Sequence, residues 1–160
     1  MSIPDPSGTP REFEPHDHAH CVSDAMASAE RICAELGVRL TPVRRRTLEI
    51  LLEGHRPMGA YDVLERLGEE GYGSKPPVAY RALGFLVENG LAHRIERLNA
   101  FVACSRARGQ SHAPAFLICR GCGMVAEIAA GLPELPEGFR VEKATVEAEG
   151  LCVSCQGAAA

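Results

Sequence analysis

The sequence predicts an α+β protein in two parts: packed helices closed by a short β-hairpin, then a smaller strand-rich segment stapled by a metal ion. Three observations carry this reading. Four stretches with helix start and stop signals lie within residues 23–90. Two short apolar stretches follow around a turn at Leu98-Asn99. Two C-x-x-C pairs, Cys119/Cys122 and Cys152/Cys155, stand in the last third of the chain, separated by 29 residues.

Taken in order, residues 1–22 are rich in Pro, acid and His without periodicity, which predicts a mobile tail. Ser23 is the expected N-cap of a first helix running to Leu36, with Gly37 as its stop. Met26, Ala29, Ile32, Cys33 and Leu36 then share one apolar face. Thr41-Pro42 places a cap before a proline at the first helical position, opening a second helix through Leu48, Ile50, Leu51 and Leu52 to Gly54. A third spans Ala60 to Glu70 and stops at Gly71. A fourth starts at Pro76-Pro77, turns Val78, Leu83, Leu86 and Val87 to the core, and ends at Asn89-Gly90.

Segments 91–97 and 100–104 read as paired strands. Three packed helices and a hairpin are the order of a winged helix-turn-helix, with the fourth helix as recognition helix and the hairpin as wing. After a polar hinge, 105–113, the chain resumes with strand-like AFLIC and MVAEI, a proline-limited helix over 131–136 and a long alternating strand, FRVEKATVEAEG. This α/β part is small and edge-rich, and needs a metal clip and a second subunit for stability. The expected organisation is a tail over 1–22, a winged-helix DNA-binding domain over 23–104, the hinge, and a small α/β domain with a structural zinc site over 114–160, to which the family likeness described below assigns dimerisation.

Charge separates the parts. Residues 39–108 hold 12 basic and 8 acidic side chains, whereas the flanking stretches are both acidic. A basic middle between acidic ends fits a polyanion-binding module beside one with another task, although a solvated basic face gives the same tally. No apolar run approaches the ~20 residues of a membrane span, and the first residues lack the apolar core of a secretory signal. Seven cysteines, an odd count with C-x-x-C pairing, fit metal in a reducing cytoplasm better than disulfides.

Four thiolates in two C-x-x-C pairs match a tetrahedral zinc ion, each pair supplying one edge of the shell. A closed four-sulfur shell has no open position for a substrate, so Cys119, Cys122, Cys152 and Cys155 predict an architectural site. Four quieter residues bracket the junction between the parts: His93 on the first wing strand, Cys104 ending the second, His112 in the hinge and Glu127 after the first cysteine pair. Each alone is unremarkable, and together they would make a mixed shell suited to zinc. The cluster His16, His18, His20 and Cys21 reads either as a weak metal-binding tail or as a solvated segment without a role. Cys33 reads as core, and His55 is assigned no site.

For nucleic acid, Arg39, Arg44, Arg45 and Arg46 cluster at the start of the second helix, and Lys75, Tyr80 and Arg81 at the start of the fourth. Arg81 is suited to guanine, Lys75 and the helix N-terminus to phosphate, and Tyr80 to a phosphate or a thymine methyl. No catalytic arrangement of Ser, His and Asp appears, no phosphate-cradling glycine loop and no H-E-x-x-H, so no enzyme and no small-molecule substrate are expected. A thiol redox protein or zinc buffer is the alternative from another class.

With these residues laid out, the chain resembles the ferric uptake regulator (Fur) family, and most of all its zinc uptake regulator (Zur) branch. The stretches that carry the likeness are RLTPVRRRTLEIL, AYDVLERL, KPPVAYRALGFLVENGLAHRIE, FLICRGCGMVAEI and EAEGLCVSC, over residues 24–155. The resemblance implies a winged-helix domain, a C-terminal dimerisation domain and a homodimeric repressor that binds double-stranded operator DNA when loaded with about two Zn2+ per subunit. It makes Cys119, Cys122, Cys152 and Cys155 the structural zinc ligands, and His93, Cys104, His112 and Glu127 the regulatory ones. It associates Arg39, Tyr61, Lys75, Tyr80 and Arg81 with DNA contact.

The chain also departs from the wider family pattern. SHAPAFLIC replaces the His-rich stretch of iron and peroxide sensors, Lys143 stands where a histidine is common, and Val78-Ala79 replaces Thr-Val before the tyrosine. The first two departures put the third metal site of other members in doubt and weaken an iron reading, and the third removes one phosphate-binding hydroxyl; an iron- or manganese-responsive regulator stays as the alternative within the family.

Overall fold

A computed structural model describes residues 10–13, 17–105, 113–130 and 132–158. The chain divides into two compact units, one spanning Asp17–Ser111 and the other combining Met1–His16 with His112–Ala160.

The unit from Asp17 opens with α1 (His18–Leu36), six residues earlier than the Ser23 cap predicted. Asp17 caps it, its Oδ1 accepting the Ala19 N–H at 3.0 Å. The helix therefore includes His18, His20 and Cys21, and residues 17–22 are not the expected irregular tail. The apolar stripe explains the extension: Val22 continues by helical spacing the face of Met26, Ala29 and Cys33. Gly37 ends α1 in the left-handed region at φ 67°, while Val38 donates back to the Cys33 carbonyl at 3.0 Å, a Schellman closure.

The helix α2 (Pro42–Leu52) begins at the predicted Thr41-Pro42, but the Thr41 hydroxyl makes no capping bond; its carbonyl accepts the Arg45 N–H at 2.9 Å. Two further helices, α3 (Ala60–Glu69) and α4 (Pro76–Glu88), follow at the expected positions. Leu48, Ile50 and Leu51 of α2, Val63, Leu64 and Leu67 of α3, and Leu83 and Leu86 of α4 meet the α1 stripe in one core. The hairpin β1 (Ala92–Ile95) and β2 (Ala100–Ala103) is antiparallel with His93 opposite Val102. Asn99 takes φ 45° in its turn, and a bridge from Met58 to Phe101 ties the hairpin to the connection before α3. This is a winged helix-turn-helix.

The other unit is built on β3 (Ala113–Cys119), which pairs antiparallel with β4 (Val125–Ala130) and parallel with β5 (Val146–Gly150). A short helix, α5 (Val153–Ala158), follows. A 3-10 turn at Arg11–Phe13 packs on β4.

Two predicted elements are corrected. No helix forms over 132–136, where Pro133 and Pro136 withhold amide donors and push the residues before them out of the α region. The long strand shrinks to Val146–Gly150 because its partner ends: Val146 pairs with Ala115, so residues before 144 would pair beyond the first residue of β3. Among the described residues no helix is long and apolar enough to cross a membrane.

Candidate metal centre and nucleic-acid interface

The turn between β3 and β4 and the approach to α5 gather four sulfurs. Gly123 donates to the Cys119 carbonyl at 2.8 Å, and Cys119 donates to Met124 O at 2.9 Å, so Cys119 and Cys122 sit in a tight knuckle. The second pair opens α5, with Cys155 and Gln156 both donating to the Cys152 carbonyl. All four sulfurs lie within 4.8 Å of one another. Cys122 and Cys152 sulfurs are 3.9 Å apart. A tetrahedron with Zn–S bonds of about 2.3 Å has edges of about 3.8 Å, so the donor set fits zinc in both type and size.

The electrostatics agree. Cys119 is held down at about 6, first by the Cys152 N–H donated to its sulfur at 3.3 Å, against the opposing effect of burial. Cys155 is pushed up to about 12, chiefly by sharing a hydrogen bond with Cys152 and then Cys119. For Cys122 the Met124 N–H lowers the thiol, but burial and the neighbouring sulfurs outweigh it and the net shift is upward. The Cys119 thiolate is favoured while Cys122 and Cys155 hold their protons more tightly; a divalent cation is what would allow such a cluster to ionise. Gly121 makes room for this: a Cβ there would lie 2.9 Å from Cys155 Sγ and 3.2 Å from Leu151 Cδ2. Its signal, the glycine inside CRGC, was present in the sequence but gave no account of that close approach.

The winged-helix unit presents the DNA-contact candidates unequally. On α4, Ala79, Ala82 and Leu83 are buried while Tyr80 and Arg81 face solvent. Tyr61, at the start of α3, is 67% exposed, and its ring meets Tyr80 edge-on with centroids 6.4 Å apart. Asp62 holds that end of α3, its Oδ2 accepting the Gly59 N–H at 3.1 Å. This positioning role is readable as a carboxylate in the first helical turn, but the sequence analysis passed over it.

Lys75 is the extended N-cap of α4. The helix terminus itself is a poor phosphate cradle, against expectation: Pro76 and Pro77 have no N–H, and Val78 donates to Lys75 O at 2.9 Å. The ammonium of Lys75 is what remains for an anion.

Of the four arginines read as one basic cluster, three have structural partners. The Arg44 guanidinium lies 3.8 Å over the Phe85 ring and donates to Arg39 O at 2.6 Å. Arg45 pairs with Glu30, and Arg46 with Glu49, Glu53 and Glu70. Among the described residues Arg39, Lys75 and Arg81 are exposed and make no ion pair.

The remaining metal candidates come from different elements of the chain. In the wing, Cys104 follows β2 and its N–H donates to Leu91 O at 2.9 Å. Alternation along paired strands then places His93 and Cys104 on one face, and a ring nitrogen of His93 and Cys104 Sγ lie within 4.8 Å. Glu127 belongs to the other unit, on β4 opposite Phe116, and is 9% exposed. His112 lies outside the described residues, as do His16 and most of the predicted hinge.

A winged helix with an open recognition-helix face, in one chain with a four-sulfur metal centre, defines a DNA-binding regulator with a structural metal site. No family model matches the chain. The Zinc uptake regulation protein of Escherichia coli (strain K12) is 38% identical over 139 residues, covering 82% of this chain and 81% of that protein. A solved zinc uptake regulator complexed with zinc and DNA is 34% identical with a TM-score of 0.77, covering 86% of this chain and 97% of that one. The holo form of XcZur is also 34% identical, with a TM-score of 0.72 over 85% of this chain and 99% of its own. The chain belongs to the zinc uptake regulator branch of the Fur family, whose members are transcription regulators and not enzymes.

Proposed function

We propose that the chain is a zinc-responsive repressor that binds operator DNA as a zinc-loaded homodimer and controls zinc-uptake genes from the cytoplasm. Each subunit holds about two Zn2+: one on Cys119, Cys122, Cys152 and Cys155, and one, regulatory, on His93, Cys104, His112 and Glu127. The observation that carries the regulatory site is the His93–Cys104 pair, with a ring nitrogen and a thiol within 4.8 Å on one face of the wing. Glu127 offers a nearly buried carboxylate oxygen as a further donor. A solved relative holding both zinc and DNA supports the same reading.

Residues 23–104 act as the DNA-binding domain, 105–113 as the hinge and 114–160 as the dimerisation domain. Leu132, Leu135 and Phe139 leave apolar surface in water, and β4 and β5 are both edge strands, which favours a second subunit as their cover. Tyr61, Tyr80, Arg81, Lys75 and Arg39 meet the duplex. Zinc at the regulatory site favours the DNA-competent conformation by the difference in its affinity for the two states, typically about 1–3 kcal/mol.

The test is a titration of an operator duplex at fixed salt, with and without zinc, for the wild type, His93→Ala and Cys104→Ser. Zinc tightens wild-type binding by about 5–150-fold, and both variants lose that gain while keeping the structural zinc. A zinc-independent wild-type affinity overturns the reading. A response to iron or manganese that survives Cys104→Ser would assign the alternative, an oxygen- and nitrogen-ligated sensor.

A further inference from the structure

The outward stripe of α4 changes character along its length. Pro77, Tyr80, Arg81, Gly84 and Glu88 recur at helical spacing on the side turned away from Ala79, Leu83 and Leu86. In the middle of this stripe Gly84 carries no side chain, and a Cβ at that position would meet nothing within 4 Å. Glycine weakens a helix interior, so neither the stability of α4 nor its packing explains the residue. The gap opens into a groove of about 650 Å³ between α4 and the wing, lined by Tyr61 and Tyr80 from the helices and by Arg94 and Phe101, opposite residues of the hairpin. Arg94 is oriented there: it donates to Asn99 Oδ1 at 2.8 Å, and its Nε lies 3.5 Å from a Glu96 carboxylate oxygen. A guanidinium has five N–H groups, so donors remain for an anionic oxygen.

We propose that this groove seats the sugar–phosphate backbone of one DNA strand, with Arg94 holding a phosphate and Gly84 giving the strand clearance. The inference rests on the reading of this unit as the DNA-binding module and adds to it a contact from the wing. A helix seated in the major groove is flanked by the two phosphate backbones, and the wing stands beside α4 where one of them passes. The groove is continuous with the Tyr61–Tyr80 face already assigned to the duplex. Its lining matches such a strand in chemistry: aromatic rings meet the apolar faces of deoxyribose, and the guanidinium meets the phosphate with a charge-assisted, bidentate geometry. Glu88 also lines the groove, and its carboxylate repels phosphate from the C-terminal end of α4. Asn99 is a positioning residue, acting on the strand only through Arg94.

The full-length, zinc-loaded protein is titrated with an operator duplex and with a scrambled duplex of the same length across a salt series. Arg94→Ala weakens both duplexes by the same factor and makes the slope of log affinity against log salt shallower by about 1. Gly84→Leu places a good helix former in open space, so its thermal midpoint is kept or raised while affinity for both duplexes is lost. Asn99→Gly keeps the left-handed turn at φ 45°, weakens binding less than Arg94→Ala, and has no further effect in an Arg94→Ala background. An unchanged salt slope in Arg94→Ala overturns the phosphate contact, and a Gly84→Leu chain that binds as the wild type does overturns the seat. A loss confined to the operator duplex in Arg94→Ala also overturns it, since that marks a base contact. A wild type whose operator affinity ignores zinc sinks the regulatory reading instead. The scrambled duplex still tests Arg94 in that case, because a phosphate contact needs no operator sequence.

Discussion

At the scale of single residues, small changes of shape and charge decide the chemistry. Gly121 has no Cβ because one would press against the Cys155 sulfur at 2.9 Å. Gly121→Ala should strain the knuckle by about 1–3 kcal/mol, the usual cost of overpacking. Spent wholly on the metal site, that is about 5–150-fold weaker retention of zinc by the four cysteines against a competing chelator, with operator contacts untouched. On the DNA face, Arg81→Ala should weaken operator binding by about 1–3 kcal/mol and relax the preference at one guanine. Lys75→Ala should weaken all sequences alike and reduce the slope of log affinity against log salt by about 1. Competition between operator and mismatched duplexes across a salt series checks both; a salt slope unchanged in Lys75→Ala would remove that residue from the phosphate contacts.

At the scale of elements, the arginines of α2 show how a charge pattern misleads. RRR at 44–46 reads as a polyanion patch, yet Arg46 is spent on Glu49, Glu53 and Glu70, tying α2 to the end of α3, where Arg66 adds a second link to Glu53. Only folding brings Glu70 to Arg46 across 24 residues. The guanidinium hydrogen-bonded to Glu70 holds that carboxyl below its usual range, against partial desolvation. A depressed carboxyl contributes stability that is complete above its unfolded value, ~4.3, and is lost as pH falls through the lower folded value. Arg46→Ala should therefore destabilise the unit modestly near neutrality, with little effect on DNA specificity. The gap in urea midpoint between the two chains should narrow on acidification. A constant gap down to pH 2 would show that packing, not charge, is what Arg46 supplies.

Helix placement in this unit was legible because caps, breakers and apolar spacing act locally: Gly37, Pro42 and Asn89-Gly90 stand at or beside the ends that the sequence indicates. The start of α1 was misplaced because the composition of residues 1–22 hid a local cap, Asp17. In the other unit the strand over 139–150 was overextended because alternation reports a face, not the length of the neighbour that must pair with it.

At the scale of the whole molecule, metal and fold depend on each other. The unit around β3 has a three-stranded sheet with two edges and few fully buried side chains, so its stability rests on the four-sulfur centre. Cys119→Ser should abolish that centre and with it cooperative folding of the unit, seen as loss of one zinc equivalent and of the corresponding calorimetric transition. Retention of both would make the cysteines dispensable to the fold. Emptying the proposed regulatory site alone, by a mild chelator or in His93→Ala, should leave the zinc of the four cysteines in place and lower only operator affinity.

The sequence by itself determined the two C-x-x-C pairs as a metal-binding donor set, most helix ends of the winged-helix unit and the winged-helix order, because spacing, capping and periodicity are properties of neighbours along the chain. Which arginines are left for DNA, why Gly121 cannot carry a side chain, and that Arg94 shares a groove with Tyr61 were decided by tertiary structure. Each of those depends on groups far apart in sequence that share space only after the core has closed.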